Sequence, residues 1–356
     1  MKVFLIRYAG SADFFIKDIG SMNELLNLKS STVLVTGANG FIGSHLVDKL
    51  LASGSRVHGL VRESSNLKWL DASKVNLHKV DLSQTDFVVP ALEDFDYIFH
   101  CAGLTKAKSR SDYFQVNAIA CSNFYEQCLK RGSRIKGIVH LSSLAATGPN
   151  SRGSHVDETS PCRPVTFYGQ SKLAGEEIAL KYSHSLPITV IRPPVVYGPR
   201  EENFFTFLKL VQKGWGLQIG SAGKELSLIY VSDLTRAMLK ASCSPKKKGS
   251  IFFVTDSHIY AWKQIAEECA QIMNVKVKTL KVPEVFLTPV AIFFEVLAQF
   301  SSKPALFDRQ RMIDIRQSSW SASPENFYRV FEFQPQYKLS QGLNETINWY
   351  LQEGWL

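Results

Sequence analysis

The chain has 356 residues, of which 45% are apolar, so it is long enough for one large or two closely packed domains. Its formal charge is +9, and the cations are scattered except for a short run of lysines at 246–248, which we interpret as a solvated loop. No recognition helix or stacking sheet accompanies this charge, which argues against a nucleic-acid partner. The net positive charge can instead attract phosphorylated cofactors or, more weakly, anionic membrane surfaces.

The six cysteines form neither a Cys-x-x-Cys pair nor a His-rich spacing, so we expect no metal site and no disulfide framework. This cysteine usage favours a reducing compartment, and we expect a cytoplasmic protein. The apolar N-terminus is interrupted at Arg7 and Asp13, which makes it a poor signal peptide. We treat residues 1–30 as an N-terminal extension without an assigned function.

From residue 31 onward, short apolar strands alternate with helices. This alternation predicts an α/β fold, a Rossmann-type doubly wound parallel sheet with helices on both faces. We predict a dinucleotide-binding domain over 31–198 plus about 249–256, and a smaller C-terminal substrate-binding lobe over 199–248 and 257–356. The strands are predicted at 32–36, 56–61, 75–80, 97–100, 137–141, 187–191 and 250–254, with helices at 41–52 and about 112–131.

The longest apolar stretch, 285–300, is interrupted by Thr288, Pro289, Glu295 and Gln299. It is too short and too polar to span a bilayer, so no integral membrane segment is predicted. We interpret it as a buried helix. The alternative is a patch that touches a membrane or a lipophilic substrate.

Three glycines, Gly37, Gly40 and Gly43, stand between the first strand and the first helix. The first allows a tight turn, the second lets the backbone approach a phosphate, and the third lets the helix pack close to the strand. The pyrophosphate of a dinucleotide would meet N–H groups at the positive end of this helix. The same turn contains three further candidate cofactor contacts, Asn39, Phe41 and Ile42.

The end of the second strand distinguishes the two nicotinamide cofactors. An acidic residue there bonds the ribose hydroxyls of NAD, whereas an arginine accommodates the 2′-phosphate of NADP. Arg62 stands in this place, Lys68 follows, and Glu63 lies one position late. NADP is therefore slightly favoured, with NAD as the alternative.

Two further strand ends offer cofactor contacts. Asp81 and Leu82 follow the third strand, where the carboxylate can bond the adenine amino group, although an Asp at a strand end also forms turns. Ala102 and Gly103 follow the fourth strand and would let the backbone pass close to the cofactor ribose.

Tyr168 and Lys172 are four residues apart, which places both side chains on one face of a helix. A free tyrosine has a pKa near 10, so a phenol that takes a proton near neutral pH needs a cation beside it. Ser142 and Ser143 end the fifth strand, and a hydroxyl there can hold a substrate oxygen. We choose Ser143, because the side chain of Ser142 should alternate to the other face, and we keep Ser142 as a second candidate contact.

Together these pieces resemble the extended short-chain dehydrogenases/reductases, also called the NAD-dependent epimerase/dehydratase family. The resemblance covers about residues 31–260. The matching pieces are the glycine turn 36–43, Asp81-Leu82, the 100–103 segment His-Cys-Ala-Gly, Asn117, Ser142-Ser143, Tyr168 with Lys172, and the 192–199 segment that begins Arg-Pro-Pro.

The resemblance implies that Ser143, Tyr168 and Lys172 form a catalytic triad. It also implies that Asn117 kinks its helix and anchors a proton-relay water, and that the segment from Pro193 to Val196 passes beside the nicotinamide ring. A homodimer is the common assembly of this family.

Departures from the family pattern narrow the activity. Nucleotide-sugar epimerases have a diphosphate-binding arginine where this chain has Leu226, and sugar dehydratases have an acidic residue after the serine motif, where this chain has Leu144. The remaining resemblance is to the branch of 3β-hydroxysteroid dehydrogenases and dihydroflavonol reductases.

We therefore expect hydride transfer between NADP(H) or NAD(H) and a secondary alcohol or ketone, with Tyr168 as general base. Thr105 is a candidate substrate contact, with a surface loop as the alternative interpretation. A nucleotide-sugar epimerase and a non-catalytic NADP(H)-binding sensor are the alternative functions.

Overall fold

A computed structural model describes residues 28–84, 86–220, 223–244, 249–300, 305 and 307–356. Nearly all of the predicted N-terminal extension 1–30 and the lysine run at 246–248 lie outside the described residues.

The strands follow the predicted order. They are β1 Thr32–Thr36, β2 Arg56–Val61, β3 Asn76–Lys79, β4 Tyr97–His100, β5 Gly137–Leu141, β6 Ile188–Arg192, β7 Val195–Tyr197, β8 Trp215–Ile219, β9 Glu225–Tyr230, β10 Ile251–Phe253, β11 Ile259–Ala261, β12 Lys278–Val282 and β13 Ser319–Trp320.

Seven of these strands form one parallel sheet in the order β3-β2-β1-β4-β5-β6-β10. Every residue of β1, β4, β5 and β6 is buried, which agrees with a parallel sheet covered on both faces. The strand order reverses between β1 and β4, and a crevice outside the carboxyl ends of the strands at such a point is where doubly wound folds bind ligands. The fold prediction is confirmed.

The helices are α1 Phe41–Ala52, α2 Arg110–Phe114, α3 Ala120–Arg131, α4 Phe167–Tyr182, α5 Glu202–Gln212, α6 Val231–Ser242, α7 Trp262–Ile272, α8 Leu287–Gln299, α9 Arg309–Arg316, α10 Glu325–Phe331 and α11 Leu339–Gln352. A π-helical turn, Gln115–Ile119, joins α2 to α3. Two side-chain caps start the helices near the site: Ser109 forms a capping box with Asp112 on α2, and Thr166 Oγ1 accepts from Gly169 N on α4 at 3.2 Å.

The C-terminal part builds a second, smaller layer. β9 pairs with β7, β11 and β13, and β8 pairs with β12. However, α6, which lies in the predicted lobe, packs its apolar side into the same core as β1 and β5. By packing, α6 therefore belongs with the main sheet, and the predicted domain boundaries stay a prediction.

The apolar stretch 285–300 is a helix for most of its length, but the expectation that it is buried is wrong. On α8 only Leu287 and Ala291 are buried, whereas Phe293 is 61% exposed and the following Phe300 is 87% exposed. Among the described residues, none of the helices combines the length and the apolarity needed to cross a bilayer.

Candidate active site

The glycine turn lies at the point where the strand order reverses. Gly37 has φ +66°, in the left-handed region that favours glycine, and a Cβ there would lie 2.9 Å from Ala102 Cα. A Cβ on Gly43 would overlap the carbonyl oxygen of Gly37. The turn after β1 and the segment after β4 are therefore in direct contact, and larger residues would separate them.

The start of α1 suits a bound phosphate. Gly40 is the N-cap of this helix and has no side chain that could accept from the first-turn N–H groups, which include those of Phe41 and Ile42. These donors at the positive end of the helix are the groups that bind an anion. The residues present therefore fit the pyrophosphate of a dinucleotide.

A hydrogen-bond network connects this turn to β4. Thr36 Oγ1 accepts from Ala102 N at 3.0 Å and lies 3.0 Å from His100 Nδ1. His100 continues to Cys121 Sγ at 3.4 Å, and burial lowers the pKa of this histidine to about 3. A neutral His100 thus holds the ends of β1 and β4 in register.

The loop after β2 lies against the glycine turn, because Asn39 Nδ2 donates to Asn66 O at 3.4 Å. Arg62 is exposed at the end of β2, and Glu63 pairs with Lys79 at 2.6 Å. Lys68 Nζ lies 4.1 Å above the ring of Trp69. The predicted selectivity residue Arg62 and the glycine turn therefore belong to neighbouring loops.

Asp81 forms a local turn in addition to any cofactor role. Its Oδ1 accepts from Ser83 N at 2.9 Å and from Ser83 Oγ at 2.7 Å, and Leu82 is buried in the core. The predicted contact of Asp81 with an adenine stays a prediction.

Asn117 lies in the π-helical turn and connects three segments. Its Oδ1 accepts from Leu104 N at 2.8 Å, and its Nδ2 donates to Leu104 O at 3.0 Å and to Ser171 Oγ at 2.9 Å. A Cβ on Gly103 would lie 3.1 Å from Asn117 Oδ1 and 3.7 Å from Lys172 Nζ. The structure thus brings Gly103, Asn117 and Lys172 together at the carboxyl end of β4.

Tyr168 and Ser143 face each other across the same edge of the sheet. Burial raises the pKa of Tyr168 to about 12, and a hydrogen bond with Ser143 acts in the opposite direction. Ser143 Oγ also accepts from Ala145 N at 3.1 Å, which fixes the serine side chain. The two hydroxyls are therefore placed to hold one substrate oxygen between them.

Lys172 lies one turn after Tyr168 on α4 and is buried. Its Nζ donates to Leu141 O at 2.7 Å, and burial lowers its pKa. The ammonium therefore sits between the end of β5 and Gly103, beside the position of the predicted cofactor ribose.

Ser142 points away from Tyr168, as the alternation along β5 predicts. Its hydroxyl donates to Glu176 Oε1, and Glu176 forms a buried ion pair with Arg192, whose Nε lies 3.0 Å from both carboxylate oxygens. This pair, which sequence reasoning missed, joins α4 to the end of β6. The only signal for Glu176 was its place four residues after Lys172 on the same helix face.

Helix α9 closes one side of the cleft. Gln310 Oε1 accepts from Phe167 N at 2.7 Å. Burial is the main cause of the raised pKa of Tyr168, and the charge of Asp314 raises that pKa further. Burial also raises the pKa of Asp314 to about 6, and its Oδ1 has no hydrogen-bond partner among the described residues. Tyr113 completes this wall, with its ring centroid 6.3 Å from that of Tyr168. Sequence reasoning missed both Asp314 and Tyr113.

The remaining predicted residues lie around this centre. Pro193 is buried and its carbonyl accepts from Leu144 N at 2.8 Å, while Val196 packs in one apolar cluster with Phe41 and Ile42 of the glycine turn. Thr105 is exposed, and its carbonyl accepts from the Tyr113 hydroxyl at 3.5 Å. Its contact with a substrate stays a prediction.

Behind the site, three potential metal ligands that the sequence did not connect, His100, Cys121 and His140, have donor atoms within 4.8 Å of one another. His100 and Cys121 bond each other, and His140 Nδ1 bonds the Tyr125 hydroxyl at 2.7 Å. Burial lowers the pKa of both histidines and raises that of Cys121 to about 11. We interpret the cluster as a neutral polar network that packs the end of the sheet.

Related proteins match this chain over nearly their full length. A ceramide reductase of Caulobacter vibrioides is 24% identical over 91% of this chain and 96% of its own length. A UDP-glucose 4-epimerase of Vibrio cholerae is 26% identical over 90% of this chain and 96% of its own length. The crystal structure of Thermus thermophilus UDP-glucose 4-epimerase in complex with NAD superposes with a TM-score of 0.72, at 23% identity, over 90% of this chain and 99% of that one.

These relatives are enzymes, and the solved structure shares the fold. The family model for NAD-dependent epimerases/dehydratases matches residues 33–254, which contain the glycine turn, the two serines, Tyr168 and Lys172. This match confirms the predicted family. The chain belongs to the NAD-dependent epimerase/dehydratase family.

Proposed function

We propose that this protein is an NAD(P)-dependent oxidoreductase that interconverts a secondary alcohol and a ketone. The observation that carries the proposal is the pairing of the Tyr168 and Ser143 hydroxyls beside buried Lys172, at the sheet edge that also bears the glycine turn. The 3β-hydroxysteroid dehydrogenase-like and dihydroflavonol reductase-like activities are the substrate classes that we favour.

When bound, the nicotinamide ring supplies a hydride acceptor or donor. Tyr168 takes the proton of the substrate hydroxyl in the oxidation direction and returns it in reduction, while Ser143 donates to the substrate oxygen. Lys172 would hold the cofactor ribose, and its charge would favour the phenolate. Asn117 fixes the backbone of Leu104 and, as the family resemblance implies, anchors a water that relays the proton.

The cofactor preference gives a first prediction. Arg62→Ala should raise the KM for NADPH about tenfold or more while changing the KM for NADH little, because an exposed guanidinium at the end of β2 is suited to a 2′-phosphate. Glu63, which binds Lys79, is less free to hold a ribose. Initial rates with both cofactors measure the effect, and equal KM changes would argue against a role for Arg62 in selectivity.

A nucleotide diphosphate fits this cleft poorly. Leu226 is buried in the core, and Lys224 donates to Ile315 O at 2.5 Å and to Glu284 at 3.0 Å. The carboxylate of Asp314, whose charge acts on Tyr168, adds no cation that could bind a diphosphate. We therefore favour an uncharged alcohol or ketone.

A nucleotide-sugar epimerase is the second candidate, because the Vibrio cholerae relative has that activity by name. Thermal-shift measurements with bound cofactor separate the two when sterols, aromatic ketones and UDP-sugars are compared. A rise in Tm with UDP-sugars alone would support the epimerase. Tight cofactor binding without turnover of any carbonyl compound would support a non-catalytic sensor instead.

Asp314 gives a prediction on pH dependence. Its carboxylate disfavours the Tyr168 phenolate, so Asp314→Asn should lower the pKa of Tyr168 and move the alkaline rise of the oxidation rate to lower pH, by up to about one unit. The pH dependence of kcat/KM measures the shift. The control is Asp308→Asn at the N-cap of α9, where the charge of Asp308 acts on Tyr113. A displacement to higher pH in the Asp314 variant would contradict this assignment.

A further inference from the structure

Helix α8 and the residues next to it present a concentrated apolar surface. Eight large apolar side chains within 285–300 are exposed, whereas the other exposed ones of the described chain are spread along the sequence. Exposed apolar clusters of this kind mark interaction sites. We call them the apolar patch; its members are Val285, Phe286, Val290, Ile292, Phe293, Val296, Leu297 and Phe300.

The carboxylates of the apolar patch are paired, and the strand before the patch carries exposed lysines. The segment 283–300 contains two carboxylates, and each is bound to a cation: Glu284 to Lys224 at 3.0 Å and Glu295 to Arg309 at 2.9 Å. The strand β12, which leads into the patch, has exposed lysines at 278 and 281, and Lys276 precedes it. An exposed apolar helix that follows a lysine-bearing strand matches the acyl chains and anionic headgroups of a lipid bilayer.

A second copy of this chain is a poorer match for the patch. A two-fold contact would place the same surface of both copies face to face, including the flanking lysines. Those like charges would then repel each other, whereas anionic headgroups attract them. The charge distribution therefore favours a membrane over self-association.

The apolar patch is joined to the candidate active site through α9. Thr288 on α8 donates to Met312 Sδ at 3.4 Å, and Arg309 N donates to Glu295 Oε1 at 2.8 Å. Helix α9 in turn contacts the start of α4 through Gln310, and its Asp314 acts on Tyr168. The exposed helix is thus one helix layer away from the proposed general base.

We infer that the apolar patch docks on the surface of an anionic bilayer, and that the cleft takes its substrate from the lipid phase. The docking is independent of the reaction. The second statement rests on the proposed function, since it identifies the alcohol or ketone as part of a membrane lipid or a molecule dissolved in the membrane.

Co-sedimentation of the full chain with vesicles tests the docking. The chain should bind vesicles of phosphatidylcholine mixed with phosphatidylglycerol, and more weakly those of phosphatidylcholine alone. The double variant Phe293→Ser, Phe300→Ser should bind about tenfold or more weakly, because two exposed aromatic rings no longer enter the bilayer. The matched control Val88→Ser, Leu351→Ser removes apolar side chains that are 63% and 53% exposed elsewhere and should bind like the wild type.

Each remaining outcome overturns the docking. Equal binding by both double variants, or no sedimentation of the wild type with either vesicle, excludes the apolar patch as a membrane surface. Loss of a dimer in the Phe293→Ser, Phe300→Ser variant, seen by analytical ultracentrifugation without a change in vesicle binding, assigns the patch to self-association.

Measurements of cofactor binding and of turnover test the docking and the proposed function separately. NADPH fluorescence should report the same affinity for both double variants, because neither changes a residue of the site. If vesicles bind as expected but ketones dispersed in them are not reduced, the docking stands and the proposed function fails. If soluble ketones are turned over faster than their vesicle-dispersed counterparts in the wild type, delivery from the lipid phase is wrong.

Discussion

Replacing Tyr168 by phenylalanine is expected to lower kcat by roughly three orders of magnitude while the affinity for the cofactor hardly changes. The substitution removes one hydroxyl, so the substrate proton has no acceptor and the substrate oxygen is held by Ser143 alone. The ring itself stays, and with it the contact to Tyr113. Turnover of the alcohol or ketone and NADPH fluorescence titration measure the two quantities.

Tyr113→Phe is the matched control, because it removes a hydroxyl from the neighbouring ring. That hydroxyl bonds the carbonyl of Thr105 at 3.5 Å, so its loss should change kcat far less than the loss of the Tyr168 hydroxyl. Wild-type turnover in Tyr168→Phe, or a larger loss in Tyr113→Phe, would refute Tyr168 as the general base.

Arg192→Met is expected to lower the free energy of unfolding by about 3–5 kcal/mol. The substitution removes the cation that faces Glu176, and that carboxylate side chain is only 1% exposed. Glu176 would then be a buried charge with the Ser142 hydroxyl as its remaining partner at this position. Urea unfolding of the variant and the wild type measures the difference.

Two further variants identify the cause of that loss. Replacing both partners, Glu176→Met with Arg192→Met, should recover part of the stability, because no buried charge is left without its partner. Lys130→Met, which breaks the exposed pair with Glu126, should have little effect. If the double variant has a lower free energy of unfolding than Arg192→Met, the unpaired charge of Glu176 is not the cause of the lost stability.

The sequence was most informative where local patterns meet simple geometry. Strands β1, β2 and β5 have the predicted bounds, because each is a short apolar run between polar or glycine-containing turns. The family could also be predicted, because the glycine turn and the Tyr168–Lys172 pair are each formed by residues close together in the sequence.

Contacts between distant segments could not be predicted. Nothing near Asp314 in the sequence indicates that α9 folds back over Tyr168, and the Glu176–Arg192 pair joins residues of two different elements. The burial of α8 was predicted incorrectly for the same reason. Composition indicates that a segment prefers an apolar environment, but the neighbouring elements decide whether the fold supplies one, and here they cover only one side of the helix.

The indole rings near the cofactor loop have an optical consequence. Trp69, which follows Lys68, lies 5.3 Å from Trp349 and 6.2 Å from Trp355, measured between ring centroids. Rings this close exchange excitation energy, so their combined emission responds to the conformation of the loop between β2 and β3. The intrinsic fluorescence of the unlabelled protein should therefore report when a nucleotide rearranges that loop.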